Sequence, residues 1–169
     1  MNTKNTAHKI VTAAMFAALT CVVTMIVKIP SPLKGYINIG DCIVLLVGWM
    51  LSPMYGFLAA GIGSALADIF SGYVIYAPAT FIIKGLMALI AYYGASFLLK
   101  KAKNIFGQIV SGAIAEVWMV VGYFLFEGCL YGFASSLVNI PANSIQGLAG
   151  LILGIVFIKI FEKYKLTFR

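Results

Sequence analysis

The chain has 169 residues, 62% of them hydrophobic and only 10% charged, with a mean hydropathy of +1.01 and a net charge of +7. A soluble domain is about 45–50% apolar and about 25% charged, so the composition excludes a water-soluble globular protein and indicates a polytopic membrane protein. The basic residues are scattered along the chain rather than clustered, which fits membrane topology and attraction to anionic lipid and argues against a nucleic-acid partner.

A spanning helix takes about 20 residues, so six would use nearly the whole chain. The first is expected over residues 6–27. Lys4 and Lys9 come before its apolar run as in a signal peptide, but no small-x-small cleavage site follows, and the run reads as a membrane helix. Inside it, Ala13, Ala14, Ala17 and Ala18 place small residues at i and i+4 twice. Such a flat stripe suits close contact with another helix and is a candidate docking surface for a partner subunit.

Residues 28–40 hold Pro30, Pro32, Gly35 and Gly40, which prevent a continuous helix. A second helix is expected over 41–51, with Asp41 as a good N-cap residue. Ser52-Pro53 makes a tight turn into a third helix, 53–70, rich in Gly, Ala and Ser. A loop at 71–77 leads to a fourth helix, 78–99, opening on Pro78. The basic loop Lys100-Lys101-Ala-Lys103-Asn104 precedes a fifth, 105–127. Residues 128–140 read as a polar and aromatic loop, and a sixth helix is expected over 141–161, before a basic tail ending at Arg169.

The expected fold is all-α and integral to the membrane: one domain, 1–169, forming a compact bundle of six transmembrane helices. With six helices, one side collects Lys4, Lys9, Lys100, Lys101, Lys103, Lys159, Lys163, Lys165 and Arg169, and the other only Lys28 and Lys34. The positive-inside rule then puts both termini in the cytoplasm.

That topology sends most of the unusual polar residues toward the outer half: Asp41, Asp68, Lys84, Glu127, Asn139, Asn143 and Gln146, with Glu116 nearer mid-membrane. A charge near a bilayer centre costs roughly 2.5–3.5 kcal/mol on insertion scales, so these groups must neutralise one another or meet a ligand. Asp41 reads as a helix cap, Asp68 and Lys84 as a structural ion pair, and Glu127 as a wet interfacial residue. Glu116, with no basic residue near it in sequence, reads as a ligand contact or protonation site. Asn143 and Gln146 share a helix face and read either as ligand contacts or as bridges between helices. A polar cluster roofed by a Pro/Gly loop has the pattern of a pocket opened from outside.

Chemistry of other kinds finds little support. His8 is the lone histidine, and no nucleophile–base or metal-ligand spacing is present. Cys21, Cys42 and Cys129 are far apart without a CxxC pair and read as free thiols, with no metal site. No cofactor is expected. No Walker-type phosphate loop is present, so an ATPase would have to be a separate chain.

These features together resemble the substrate-binding S component of an energy-coupling factor (ECF) vitamin transporter, in the branch grouped with riboflavin and thiamine-precursor S components. The resemblance covers almost the whole chain. It rests on the six-helix length, the alanine stripe, and the stretches Tyr36-Ile-Asn-Ile-Gly-Asp41, Gly61-Ile-Gly-Ser-Ala-Leu-Ala-Asp68 and Tyr76-Ala-Pro-Ala-Thr-Phe-Ile-Ile-Lys-Gly85.

It implies a multi-pass protein of the bacterial cell membrane that binds a vitamin from outside. The alanine stripe would dock onto a transmembrane coupling subunit driven by two ATPase subunits, and the 28–40 loop would gate the pocket. It favours Lys84, Glu116, Asn139, Asn143, Gln146, Tyr36 and Asn38 as ligand contacts and makes Asp41 and Asp68 structural. One carboxylate, amides and tyrosines suit a small heteroaromatic ligand, so a pyridoxine-type vitamer or hydroxymethylpyrimidine ranks ahead of the bulkier riboflavin. The alternatives are a self-sufficient secondary transporter, with Glu116 as proton carrier, and a purely structural partner protein. A membrane enzyme is disfavoured.

Overall fold

The structure, a computed structural model, describes residues 3–31, 35–98 and 105–165. Lys34, the basic loop with Lys100, Lys101 and Lys103, and Arg169 lie outside the described residues. The elements in chain order are α1 (Thr3–Ile26), β1 (Lys28–Pro30), β2 (Tyr36–Asn38), α2 (Asp41–Met50), α3 (Pro53–Phe70), α4 (Ala77–Leu98), α5 (Ile105–Tyr131), α6 (Phe133–Ser136), a 3-10 turn (Leu137–Asn139) and α7 (Ile140–Lys163). Five helical segments are long and apolar enough to cross a membrane: α1, α3, α4, α5 and the α6–α7 stretch.

α2 is the helix around which the others assemble. All ten of its residues are buried, as expected for a helix that is apolar on every side except at its first residue. Its neighbours are α1, α3, α4, α5 and α7. At 1.5 Å per residue it is about 15 Å long, roughly half a hydrocarbon core of about 30 Å. Its N-terminal end is entered from the β1–β2 hairpin, which pairs antiparallel with Lys28 opposite Asn38 and Pro30 opposite Tyr36. The protein is otherwise helical, as expected, and this hairpin is the departure from it among the described residues. The Pro/Gly segment that cannot be helical satisfies part of its backbone as a two-stranded strap.

The small residues do what their size allows. A Cβ on Gly63 of α3 would lie 2.4 Å from the carbonyl oxygen of Ala17, and one on Gly48 of α2 would lie 2.6 Å from that of Ala88. Glycine lets both helix pairs touch backbone to backbone. The outward faces of α1, α3, α4, α5 and α7 carry exposed Ile, Leu, Val, Met and Phe side chains, such as Val11, Met54, Phe97, Val117 and Ile152. This is the surface a bilayer would cover.

Two expectations need correction. Asp41 is not a cap: Gly40 occupies the N-cap position, and Asp41 is the first helical residue with its side chain turned inward. The 128–140 segment is not an open loop either. α5 runs on to Tyr131, Gly132 breaks it at φ +90°, and α6 with the 3-10 turn leads directly into α7. Only glycine adopts that backbone region readily.

Candidate ligand-binding site

Beneath the strap, between α3, α4, α5 and α7, lies a cavity of about 30 Å³. The strap contributes Tyr36 and Asn38, α3 Asp68, α4 Thr80, α5 Tyr123 and Glu127, and α7 Asn143 and Gln146. Tyr76, in the turn before α4, completes the wall. Four of the residues expected to contact ligand (Tyr36, Asn38, Asn143 and Gln146) therefore meet at one place.

Gln146 ties the strap to the membrane interior. Its Oε1 accepts from the Asn38 backbone N–H at 2.9 Å and from Asn38 Nδ2 at 3.4 Å. Its Nε2 donates to Asp41 Oδ2 at 2.8 Å. Asn38 Oδ1 in turn accepts from Gly40 N–H at 2.9 Å, closing the turn into α2. Tyr36 holds the strap's other corner by donating to Asp68 Oδ1 at 2.6 Å.

Lys84 lies behind this wall and pairs with Asp41 Oδ1. The expected Asp68–Lys84 pair is thus replaced by Asp41–Lys84. Both partners are fully buried, and the pairing neutralises two charges that could not be carried singly at this depth. The Lys84 ammonium also lies 5.4 Å from the Tyr123 ring centroid. Lys84 does not line the cavity. Nor does Asn139, which is buried and donates to Glu127 Oε1 at 2.9 Å.

Glu116 is elsewhere. It is 5% exposed, neither carboxyl oxygen has a hydrogen-bond partner among the described residues, and it lines an apolar crevice of about 380 Å³ between α5 and α7. Its carboxyl packs against Gly147 and Gly150. The expectation that Glu116 belongs to the polar pocket is not what the geometry gives.

Two residues that sequence reasoning placed outside the site do line the cavity. Asp68 is 5% exposed, and Glu127, expected to be wet, is 3% exposed. Glu127 accepts from Tyr76 OH at 3.4 Å. A signal for Glu127 existed: it follows Glu116 by eleven residues, close to three full helical turns, so both lie on nearly the same face of α5.

The alanine stripe divides in two. Ala13 is buried and Ala17 half-buried, with the Ala17 carbonyl against Gly63, whereas Ala14 and Ala18 are exposed. Half of the stripe packs the chain's own bundle and half faces outward.

The fold recurs in known proteins. The family model for the S component of the ECF-type riboflavin transporter matches residues 4–163. An uncharacterized protein in the gap 3′ region of Pyrococcus woesei is 34% identical over 134 residues, covering 79% of this chain and 87% of that protein. Among solved structures, the S component of a bacterial ECF transporter superposes with a TM-score of 0.73 at 24% identity, covering 94% of this chain and 97% of that one. The S component for biotin from an ECF-type ABC transporter gives 0.53 at 17%, covering 94% and 95%; both share the fold. The chain belongs to the ECF-type riboflavin transporter S-component family and is a membrane-embedded S component of a vitamin transporter.

Proposed function

We propose that the chain captures riboflavin from outside the cell in the strap-covered cavity and delivers it with an ATPase-driven coupling module. The observation that carries this reading is the composition of the cavity. Its aromatic part is built from Tyr36, Tyr76 and Tyr123, with the Tyr73 ring packed against the first two, its centroid 4.7 Å from that of Tyr36 and 6.3 Å from that of Tyr76. It faces a polar side built from Asn38, Asn143 and Gln146. A flat tricyclic ring with a hydroxylated chain presents a stacking face and several donors to such a surface.

The family match supports putting riboflavin ahead of the smaller vitamers, the reverse of the ranking from sequence. A cavity of about 30 Å³ holds one or two waters, so the strap has to swing away for a flavin. That volume is the one observation favouring a pyridoxine-type vitamer or hydroxymethylpyrimidine. Titrating the purified chain with riboflavin and following flavin fluorescence decides between them. Saturable quenching at one flavin per chain supports the first reading. Displacement of nothing by riboflavin, together with heat released by a small vitamer, supports the second.

The same proposal places six membrane crossings in a bacterial plasma membrane, α2 with its strap counting as the second, and both termini in the cytoplasm. The outward pair Ala14 and Ala18 then forms the docking face for the coupling subunit. Uptake into vesicles should require the coupling subunit, the ATPases and ATP. Uptake driven by a pH gradient with this chain alone contradicts the proposal and makes it a secondary transporter.

A further inference from the structure

Two carboxylates in the cavity wall are each half satisfied. Asp68 Oδ1 accepts from Tyr36, and Glu127 Oε1 accepts from Asn139 and Tyr76. Asp68 Oδ2 and Glu127 Oε2 are buried without a hydrogen-bond partner among the described residues. The contrast with Asp41 is direct, since both of its oxygens are engaged, one by Lys84 and one by Gln146. A carboxylate kept only for structure is expected to look like Asp41, because a buried acceptor without a donor is costly. Two such acceptors in the wall of one cavity mark where donors from another molecule are expected.

Charge sharpens the point. No Lys or Arg among the described residues lines the cavity, and Lys84 is committed to Asp41. The described wall therefore offers acceptors, and the described cation beside it, Lys84 at 5.4 Å from the Tyr123 ring centroid, is already paired.

We propose that Asp68 and Glu127 are ligand-contacting, specificity-determining residues: their free oxygens accept hydrogen bonds from donor groups of an uncharged, donor-rich ligand and repel the phosphate monoester of the same ligand. This rests on the cavity being the vitamin site. In riboflavin the donors are the hydroxyls of the side chain; in a pyridoxine-type ligand they are hydroxymethyl groups. A phosphate monoester brings about −1.5 to −2 charges at neutral pH into a wall of low dielectric, where like charges are strongly penalised. Asp68 also joins ligand and lid, since one of its oxygens holds the strap through Tyr36 while the other is left for the ligand.

The test uses two probe pairs, riboflavin with flavin mononucleotide and pyridoxine with pyridoxine 5′-phosphate, titrated against the purified full chain and the variants Asp68→Asn and Glu127→Gln. The wild type should bind the neutral member of one pair at least about tenfold more tightly than its phosphate. Each variant should weaken the neutral member by about tenfold, the range for a hydrogen bond to a charged group, and should narrow the preference against phosphate. Tyr36→Phe, which loosens the strap but keeps both carboxylates, should weaken both members alike. Melting temperatures identify any variant that fails to fold, and the other is then read alone. Affinities that do not change in either variant, or equal losses for neutral and phosphorylated members, overturn the proposal. Binding of pyridoxine but no flavin overturns the riboflavin reading and leaves this inference standing. Equal affinity of the wild type for both members of a pair overturns this inference and leaves the vitamin site standing. Binding of neither pair overturns both.

Discussion

Asp41 and the cavity-wall carboxylates Asp68 and Glu127 lie in one bundle and are all at least nine-tenths buried, yet they are built differently. Asp41 sits on the central helix with each oxygen matched, one to a lysine and one to an amide. Asp68 and Glu127 sit in the wall of the cavity, each with one oxygen matched and one not. The first arrangement closes on itself and serves the fold. The second leaves one oxygen of each without a donor among the described residues, in residues that line the space beneath a hairpin tied down through Tyr36 and Asn38. The difference shows that burial alone does not separate a structural acid from one available to a ligand: an unmatched oxygen counts only where the residue also lines the cavity, which Asp68 and Glu127 do.

The comparison breaks most directly at the closed end. Lys84→Met leaves Asp41 buried without its counter-charge, and removing one partner of a buried ion pair costs about 3–5 kcal/mol. The variant should unfold many degrees lower in a thermal scan in detergent, if it accumulates at all. An unchanged melting temperature would mean that Asp41 is neutral in the folded protein. Gln146→Ala should come next. It frees the Asn38 N–H and one Asp41 oxygen, costs about 1–3 kcal/mol, and should speed ligand dissociation by releasing the strap, as read by stopped-flow fluorescence.

The alanine stripe sharpens the contrast between inside and outside. Ala13→Leu should lower stability by about 1–3 kcal/mol through overpacking of the core. Ala14→Leu and Ala18→Leu should leave melting and ligand affinity unchanged while abolishing uptake by the assembled transporter. Loss of binding in the outer pair would show that this face has another role. The smallest effect is expected for Glu116→Gln. Its carboxyl has no partner to lose and does not line the polar cavity, so affinity should stay within about twofold, well under one hydrogen bond. A loss approaching that of Gln146→Ala would bring Glu116 back into the site.

Much of this molecule is legible in its sequence because lipid imposes simple rules. Helix positions followed from apolar length, Pro53 and Pro78 fell in the first turn of α3 and α4, and the residues of the strap cannot continue a helix. Tyr36, Asn38, Asn143 and Gln146 could be gathered because topology sends them to one end of the bundle. What was not legible is what depends on angle and partner choice. Lys84 could reach a carboxylate on α2 or on α3, and nothing in the order of residues tells which helix lies nearer. Glu116 looked like a pocket residue, but it lies about three turns of α5 from Glu127 on nearly the same face, which carries it past the cavity to the apolar seam with α7. Glu127 looked wet because the following segment read as a loop; once α5 extends to Tyr131 and folds back through α6, that carboxylate is enclosed.

The measurement that bears most directly on the central claim is native mass spectrometry, with an absorption spectrum, of the chain purified gently from cells grown in riboflavin-rich medium. The account predicts a yellow protein carrying one flavin per chain, with occupancy reduced in Gln146→Ala and unaffected in Ala14→Leu. A colourless chain with no bound vitamin, even after incubation with riboflavin and the smaller vitamers, would contradict it.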